Sequence, residues 1–209
     1  MQRGKMIVCD GGNGAGKSTV LAAIERHLRE QGRAFLLTRE PGGTAIGEKI
    51  REILLSRDTP EMDGTTELLL FAAARAQHVR EKIRPALDAG TVVICDRFDS
   101  ATVSFQHYAR GLPLELVNQV NTIATEGLKA DLTIVLDLDP AAGLKRVGSR
   151  GSELDRFELQ QLEFLNRARD GYLRQASEQP DAFAVIDASR SLPEVVEAAI
   201  AEVDRVLAR

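Results

Sequence analysis

The sequence predicts an α/β fold in which a five-stranded parallel sheet lies between two layers of helices. The first observation is that five short apolar runs alternate with longer runs of helical periodicity. Unbroken apolar strands of this kind are typical of parallel sheets covered on both faces. The second observation is a glycine-rich segment that joins the first apolar run directly to a helical pattern. The third is the length of 209 residues, which suits one domain.

Each predicted element is a segment with one dominant periodicity. Strands are expected at residues 6–9, 34–37, 92–95, 132–136 and 183–186, and helices near residues 18–31, 45–56, 64–88, 113–128, 140–148, 157–178 and 192–208. Right-handed crossovers between these strands give a doubly wound domain. We expect one domain over residues 1–209, with a short lid at residues 149–156, a polar, glycine-containing stretch between two long helices.

The composition argues against several classes of protein. A formal net charge of −4 argues against non-specific nucleic-acid binding, and no apolar run approaches the ~18 residues of a membrane span. The first residues lack a signal-peptide core, so we expect a cytoplasmic protein. Cys9 and Cys95 each end an apolar run and are expected to be small buried hydrophobic residues. The histidines have no metal-ligand spacing, so we expect no zinc site.

Residues 10 to 19 contain a complete Walker A pattern, in which Gly11 and four further residues precede Gly16-Lys17-Ser18. Glycines let the backbone bend so that several N–H groups converge on a phosphate, and the helix N-terminus adds partial positive charge. Lys17 adds a full charge, and the Ser18 hydroxyl can ligate Mg²⁺. The sequence therefore predicts a P-loop three-layer α/β/α fold with a phosphate site formed by Gly11, Gly12, Asn13, Gly14, Ala15, Gly16, Lys17, Ser18 and Thr19.

Polar residues follow several predicted strands, and ligands of such sheets bind beyond the carboxyl ends of the strands. Asp96 ends the third strand, the usual place for a carboxylate that orients Mg²⁺, and Arg97 can hold a phosphate through two hydrogen bonds. A salt bridge at the sheet rim is the other interpretation of this pair. After the second strand, a proline and paired glycines place Arg39 and Glu40 at the same rim, with Arg51 on the next helix. An ordinary charged surface loop is the alternative there.

Two further clusters can carry chemistry. Phe71, Arg75 and His78 share one face of a predicted helix, where a base can stack on the ring and bond to the guanidinium. A core position is the default interpretation of Phe71. The second cluster borders the predicted lid and consists of Arg146, Arg150 and Arg156. These arginines suit a clamp that closes on the charge of the phosphate being transferred. An exposed charged loop is the alternative interpretation.

Nearly the whole chain resembles bacterial thymidylate kinases (dTMP kinases), which belong to the P-loop nucleoside monophosphate kinases. The most specific marker is Thr-Arg-Glu-Pro-Gly-Gly-Thr at residues 38–44, whereas the Walker A pattern is shared by the whole superfamily. The further markers are Phe71-Ala-Ala-Ala-Arg75-Ala-Gln, Asp96-Arg97-Phe98-Asp99, Gln106 with Arg110-Gly111, Leu136-Asp137-Leu138-Asp139-Pro140 and Leu154-Asp155-Arg156.

The resemblance implies transfer of the ATP γ-phosphoryl group to dTMP with Mg²⁺, giving dTDP and ADP. It implies that Phe71 stacks on thymine and Arg75 reaches its exocyclic oxygen, with Thr102 and Gln106 beside the base. The other implied substrate residues are Asp10, Arg39, Glu40, Arg51, Arg97 and Phe105. The implied catalytic cations are Lys17, Arg97, Arg150 and Arg156, and the implied metal ligands are Ser18 and Asp96. Family members with such lid arginines are typically cytosolic homodimers.

This chemistry needs no general base, and the sequence offers no credible one. A phosphate monoester has a second pKa near ~6, so at neutral pH the acceptor is mostly a dianion already. The difficulty is to bring two polyanions together in line. The two substrates are brought together by neutralising their charge and by positioning them, which are the roles of Lys17, Arg97, the lid arginines and Mg²⁺. Closure of the lid also excludes water.

The chain departs from the family pattern at four residues. Asn13 stands where Glu or Asp is usual, which keeps a hydrogen-bond acceptor but removes the negative charge. Asp10 stands where Glu is common and is one methylene shorter. Phe105 and His107 stand in a segment that usually reads Ala-Tyr-Gln-Gly, and a phenyl ring fills space against a ribose 2′-hydroxyl without bonding to it.

Two other functions fit part of the pattern. Another nucleoside monophosphate or deoxynucleoside kinase would share the P-loop and the lid but need base contacts other than Phe71, Arg75 and Gln106. A nucleotide-dependent switch or regulatory ATPase would need a water-positioning residue, and it leaves the acceptor-side arginines without a purpose. We expect dTMP as the small-molecule partner and neither nucleic acid nor membrane as a partner.

Overall fold

A five-stranded parallel sheet forms the centre of the structure, a computed structural model that describes residues 3–148 and 155–208. Its strands are β1 (Met6–Gly11), β2 (Phe35–Arg39), β3 (Val92–Asp96), β4 (Leu132–Asp137) and β5 (Phe183–Asp187). Their order across the sheet is β2-β3-β1-β4-β5, and every neighbouring pair is parallel. The predicted fold class is therefore confirmed, with the glycine loop at the end of the central strand.

Helices connect the strands. They are α1 (Lys17–Glu30), α2 (Ala45–Leu55), α3 (Gly64–His78), α4 (Arg84–Asp88), α5 (Asp99–Thr102), α6 (Leu114–Thr125), α7 (Pro140–Gly148), α8 (Leu162–Glu178) and α9 (Leu192–Leu207). π-Helical turns at Val79–Ile83 and Val103–Ala109 continue α3 and α5. Among the residues that the structure describes, no helix combines the length and apolar character needed to cross a bilayer.

Two separate cores lie on the two faces of the sheet. Alternate residues of a strand point to opposite faces, so Ile7 packs into a core with α1 and α9, and Val8 into another with the turn before α4. Cys9 and Cys95 are buried free thiols in these two cores, as predicted. Helices thus cover both faces of the sheet, and the carboxyl edge of the sheet remains for a ligand site.

The predicted helix at residues 64–88 is not a regular α-helix throughout. The turn Val79–Ile83 is π-helical and precedes Pro85, which has no N–H to donate to the carbonyl of Glu81. Single π-helical turns of this kind are frequent at functional sites. This turn directly follows His78, one of the residues singled out in the sequence.

The structure differs from the prediction at one helix boundary and in one additional helical segment. The predicted helix at residues 157–178 begins at Leu162, because Asp155 accepts the N–H groups of Phe157 and Glu158, both at 2.8 Å, in a local turn that competes with the helix. The helical segment at residues 99–109 was not predicted, although Ala101 and Phe105 have the spacing of one helical face. Most of the predicted lid, including Arg150, lies outside the described residues.

Candidate functional site

The glycine loop turns sharply between β1 and α1. Gly11, Gly14 and Gly16 have positive φ angles of 126°, 78° and 95°. A Cβ atom on Gly14 would lie 2.3 Å from the carbonyl oxygen of Gly143, so only glycine fits there. In the described part of the chain, the N–H groups of Asn13, Gly14 and Gly16 bond to no backbone or side-chain acceptor. Such a concave row of free donors suits a phosphate group.

Lys17 lies across this loop. Its Nζ donates to the carbonyl oxygens of Gly11 at 3.2 Å and Gly12 at 2.9 Å. Burial and, after it, the nearby positive charge of Arg97 together lower the pKa of Lys17 from 10.5 to about 8. A polyphosphate in the loop would favour the charged ammonium.

A cavity of about 290 Å³ opens beside the loop. The predicted site residues that line it come from the loop, the carboxyl ends of β2 and β3, and the helices that follow them. They are Asn13, Lys17, Ser18, Arg39, Glu40, Arg51, Phe71, Arg75, Asp96, Arg97, Thr102, Phe105 and Gln106. The fold therefore brings most of the predicted acceptor residues into one cavity, but neither Asp10 nor Arg156 lines it.

A buried network holds Arg97 at the cavity wall. Its Nη1 donates to the Tyr172 hydroxyl at 2.9 Å and to Asp10 at 3.3 Å, and its Nη2 donates to Asn13 Oδ1 at 2.9 Å. Asp10 is fully buried and also accepts the hydroxyl groups of Ser100 and Tyr172, both at 2.6 Å. Burial raises the pKa of Tyr172 well above its usual value, so its hydroxyl keeps the proton that it donates. In this arrangement Asp10 orients Arg97 from behind the cavity wall.

Tyr172 and Ser100 are not among the residues that the sequence pattern indicates. Tyr172 lies on α8, far along the chain from the glycine loop, and Ser100 lies in the helical segment that was not predicted. Neither residue belongs to a motif, so no local signal marks them.

Arg75 is almost completely buried and makes four hydrogen bonds. Nε donates to Glu40 Oε2 at 2.7 Å, and Nη1 donates to Thr102 at 2.9 Å and Asn121 at 2.7 Å. Nη2 donates to the carbonyl oxygen of Phe98 at 2.9 Å. A guanidinium has five N–H groups, so within the described residues one Nη2 hydrogen remains for a ligand.

Glu40 is shared between Arg75 and His78. Its Oε1 lies 3.0 Å from His78 Nδ1, and His78 Nε2 lies 2.7 Å from the Thr38 hydroxyl. Both Glu40 and His78 are buried. The spacing that places Arg75 and His78 on one face of α3 therefore serves a common carboxylate partner.

Phe71 and Phe105 form the aromatic wall of the cavity. Both rings pack edge-on against Phe157, with centroids 5.8 Å and 5.7 Å away. The Arg97 guanidinium lies 5.3 Å from the centre of the Phe105 ring. Phe71 thus packs against a small core and also lines the cavity, so the two interpretations of this residue are compatible.

The remaining arginines of the site take different partners. Arg39 is exposed and donates to Glu48 at 2.8 Å, and Arg51 donates to the carbonyl oxygen of Pro41 at 2.8 Å. These contacts hold both side chains at the rim of the cavity. Each guanidinium keeps further N–H groups that a phosphate can accept.

Arg156 lies in a buried cluster around Glu67. Its Nε donates to the carbonyl oxygen of Leu54 at 3.0 Å, and its Nη2 lies 2.5 Å from Glu67. Glu67 also pairs with Arg110 at 3.1 Å and accepts from Gln106 Nε2 at 2.9 Å. A contact between Arg156 and ATP phosphates stays a prediction, since the side chain is committed to Glu67 here.

Asp96 and Ser18, the predicted metal ligands, both line the cavity. Asp96 Oδ1 is buried and has no hydrogen-bond partner among the described residues. A buried carboxylate oxygen without a partner is costly unless a cation or water meets it. Mg²⁺ commonly takes one or two protein oxygens and completes its shell with water and phosphate, so this pair fits the ion.

Comparison with known proteins gives one consistent family. A sequence model described as thymidylate kinase matches residues 9–200. The thymidylate kinase of Geotalea uraniireducens (strain Rf4) is 46% identical over 202 residues, with 94% of each chain covered. The thymidylate kinases of Desulfosudis oleivorans (strain DSM 6200 / JCM 39069 / Hxd3) and Geobacillus sp. (strain WCH70) are 47% and 45% identical, with 96% of both chains covered in each comparison.

Proposed function

The chain belongs to the thymidylate kinase family, and we propose that it transfers the γ-phosphoryl group of ATP to dTMP, giving dTDP and ADP. One observation of the structure supports this most strongly. A single cavity is lined by the end of a Walker A loop, by three partly exposed arginines and by a phenyl ring beside a buried arginine. A phosphate donor and a nucleotide acceptor can meet there.

The two substrates would take opposite ends of the site. The glycine loop and Lys17 hold the ATP phosphates, and Lys17 gains its full charge as they arrive. Phe71, with Arg75 and the residues around it, receives the thymine base. The acceptor phosphate faces the side of the cavity where Arg39, Arg51 and Arg97 project.

Transfer depends on placement of charge rather than on a base. The acceptor phosphate is mostly a dianion at neutral pH, so no side chain has to remove a proton. Arg97 is held by Asp10, Asn13 and Tyr172 before any ligand binds, which avoids reorganisation when charge shifts along the reaction path. This chain's asparagine at position 13 performs that task as a neutral acceptor.

Mg²⁺ is the metal we propose, held through Ser18 and Asp96. When bound, it supplies charge neutralisation between the phosphates. We expect Asp96→Asn to lower kcat at least 100-fold at standard Mg²⁺ while dTMP still binds. An unchanged kcat and an unchanged Mg²⁺ dependence would exclude Asp96 as a ligand.

We also propose a cytoplasmic homodimer. Ile53 on α2, Leu69 on α3 and Ile123 on α6 are large apolar side chains with exposed fractions of 48%, 55% and 78%. These three helices pack side by side, and adjacent exposed apolar groups are typical of protein interfaces. Light scattering should give roughly twice the chain mass of 22.8 kDa. A mass equal to one chain would contradict the dimer.

A coupled ADP-release assay tests the activity. We expect ADP formation from ATP only with a nucleoside monophosphate acceptor, fastest with dTMP among dTMP, dUMP, UMP, CMP, AMP and GMP. Equal rates without any acceptor would indicate an ATPase or switch. An optimum with a purine or cytidine nucleotide would overturn the assignment of dTMP.

A further inference from the structure

Gln106 connects the cavity to the buried cluster around Glu67. It lies in the π-helical turn after α5 and lines the cavity beside Phe71 and Arg75. Its Nε2 donates to Glu67 Oε1 at 2.9 Å. Both side chains are buried, so this hydrogen bond is shielded from water.

Both oxygens of Glu67 face hydrogen-bond donors. Arg110 contacts both of them, at 3.2 Å and 3.1 Å, and Arg156 lies 2.5 Å from Oε2. A carboxylate held by two guanidinium groups accepts hydrogen bonds and donates none. The Gln106 carboxamide can therefore face Glu67 only with its NH₂ group.

The carbonyl oxygen of Gln106 must then point away from Glu67. Within the described residues, Oε1 bonds to no protein donor and is accessible from the cavity. The cavity thus offers two oriented groups, the remaining Nη2 hydrogen of Arg75 as a donor and Gln106 Oε1 as an acceptor. The orientation of the second group depends on Glu67.

We propose that Glu67 is a positioning residue that sets base specificity by holding the Gln106 carboxamide in one orientation. A carbonyl next to a ring N–H, as in thymine and uracil, complements this donor and acceptor pair. Cytosine presents an amino group and an unprotonated ring nitrogen, so both contacts would be lost. The inference rests on the proposed function, because it takes a pyrimidine nucleotide as the acceptor.

The competing explanation is that Glu67 only neutralises two buried arginines. In that case its loss would weaken all ligands alike. If Glu67 positions Gln106, the substitution Glu67→Gln changes the discrimination between bases. A carboxamide at position 67 can both donate and accept a hydrogen bond, so the Gln106 carboxamide could rotate and exchange its oxygen and nitrogen.

The experiment compares wild type with Glu67→Gln. We expect the ratio of the dCMP Kd to the dTMP Kd, measured by displacement calorimetry, to fall at least tenfold, while the KM for ATP stays within twofold. Arg110→Gln is the matched control, because it removes one arginine of the cluster but keeps the bond between Glu67 and Gln106. Its ratio should stay within threefold of wild type, whatever the loss in melting temperature.

A double variant tests the orientation directly and retains the charge of the cluster. In Glu67→Gln/Gln106→Glu, the carboxamide donates to the carboxylate at position 106, whose other oxygen faces the cavity as an acceptor. We expect its dCMP to dTMP ratio to return to within threefold of wild type. An unchanged ratio in Glu67→Gln, or an uncorrected ratio in the double variant, would overturn the role of Glu67. Loss of dTMP phosphorylation in the wild type would instead overturn the proposed function.

Discussion

Arg97 shows how one side chain depends on residues from distant parts of the chain. Asp10 lies near the end of β1, Asn13 lies in the glycine loop, Arg97 follows β3, and Tyr172 lies on α8. The backbone of Arg97 has a left-handed conformation, with φ of 68°, which is uncommon for a residue with a side chain. Such a conformation persists where the surroundings hold it, and three hydrogen-bonding side chains, those of Asp10, Asn13 and Tyr172, hold Arg97 here.

Removal of the Tyr172 hydroxyl should therefore affect both stability and activity. Tyr172→Phe takes one acceptor from Arg97 and one donor from buried Asp10, so we expect a loss of ~1–3 kcal/mol in the free energy of unfolding. We expect kcat/KM for dTMP to fall about tenfold, since Arg97 is less well placed. Denaturant unfolding and steady-state kinetics measure the two effects. Tyr108→Phe is the control, and an equal loss there would contradict the prediction.

The lowered pKa of Lys17 predicts a pH dependence. Below pH 8 the free enzyme carries a charged ammonium that attracts phosphate, and above pH 8 the amine becomes neutral. Because kcat/KM reports the free enzyme, kcat/KM for ATP should fall with rising pH through about 8, approaching tenfold per pH unit. Thermal unfolding at each pH controls for loss of the fold. A profile that stays flat to pH 9.5 would contradict the assignment.

At the level of elements, α3 contributes Phe71 and Arg75 to the cavity wall, and two buried residues of the same face lie beside them. Glu67, Phe71, Arg75 and His78 follow each other at intervals of four, four and three residues. The helical period places them in one row. The helical spacing in the sequence indicates the last three of these residues. Glu67 lies one turn before Phe71 in the same row, and this spacing is the sequence signal that could have indicated Glu67.

Helix α2 carries Arg51 to the cavity, and Thr44 caps its N-terminus. The Thr44 side chain accepts the N–H of Gly47 at 3.0 Å and satisfies one of the free donors of the helix end. Thr44→Ala should lower the free energy of unfolding by ~1 kcal/mol, and Thr44→Ser should keep most of it. Chemical denaturation compares the three proteins. An equal loss in the serine variant would show that the methyl group, rather than the cap, matters.

At the level of the whole molecule, strand register assembles the site. Asp96 is the partner of Arg39 on β2 and of Cys9 on β1. The carboxyl ends of three neighbouring strands therefore bring the metal candidate, the rim arginine and the glycine loop together. Parallel sheets create such a shared edge because all their strands point the same way.

A ligand that binds this edge should stabilise the whole fold. At dTMP concentrations near 100 times Kd, linkage predicts a gain of ~2.7 kcal/mol in the free energy of unfolding. For a chain of this size that gain corresponds to a rise in Tm of ~5–10 °C. Scanning calorimetry measures it, with dCMP at equal concentration as the control. Equal shifts with both nucleotides would contradict base selection by this cavity.

The sheet, the glycine loop and most of the cavity residues are predictable from the amino-acid sequence alone. These features depend on local properties: strand and helix periodicity, glycine at positive φ, and the position of each polar residue at a strand end. A regular α-helix is predicted through residues 79–83 and 157–161 but does not form there, because a proline or an aspartate side chain competes with the helical pattern.

The pairing of the charged residues, in contrast, depends on the tertiary fold. Tyr172 meets Asp10 across 162 residues of sequence, and Arg156 turns to Glu67. A buried charge requires a partner, but packing determines which of several candidates is near enough to serve. Local periodicity carries no information about such contacts. That is the physical reason why the sequence revealed the cavity residues but not the groups that orient them.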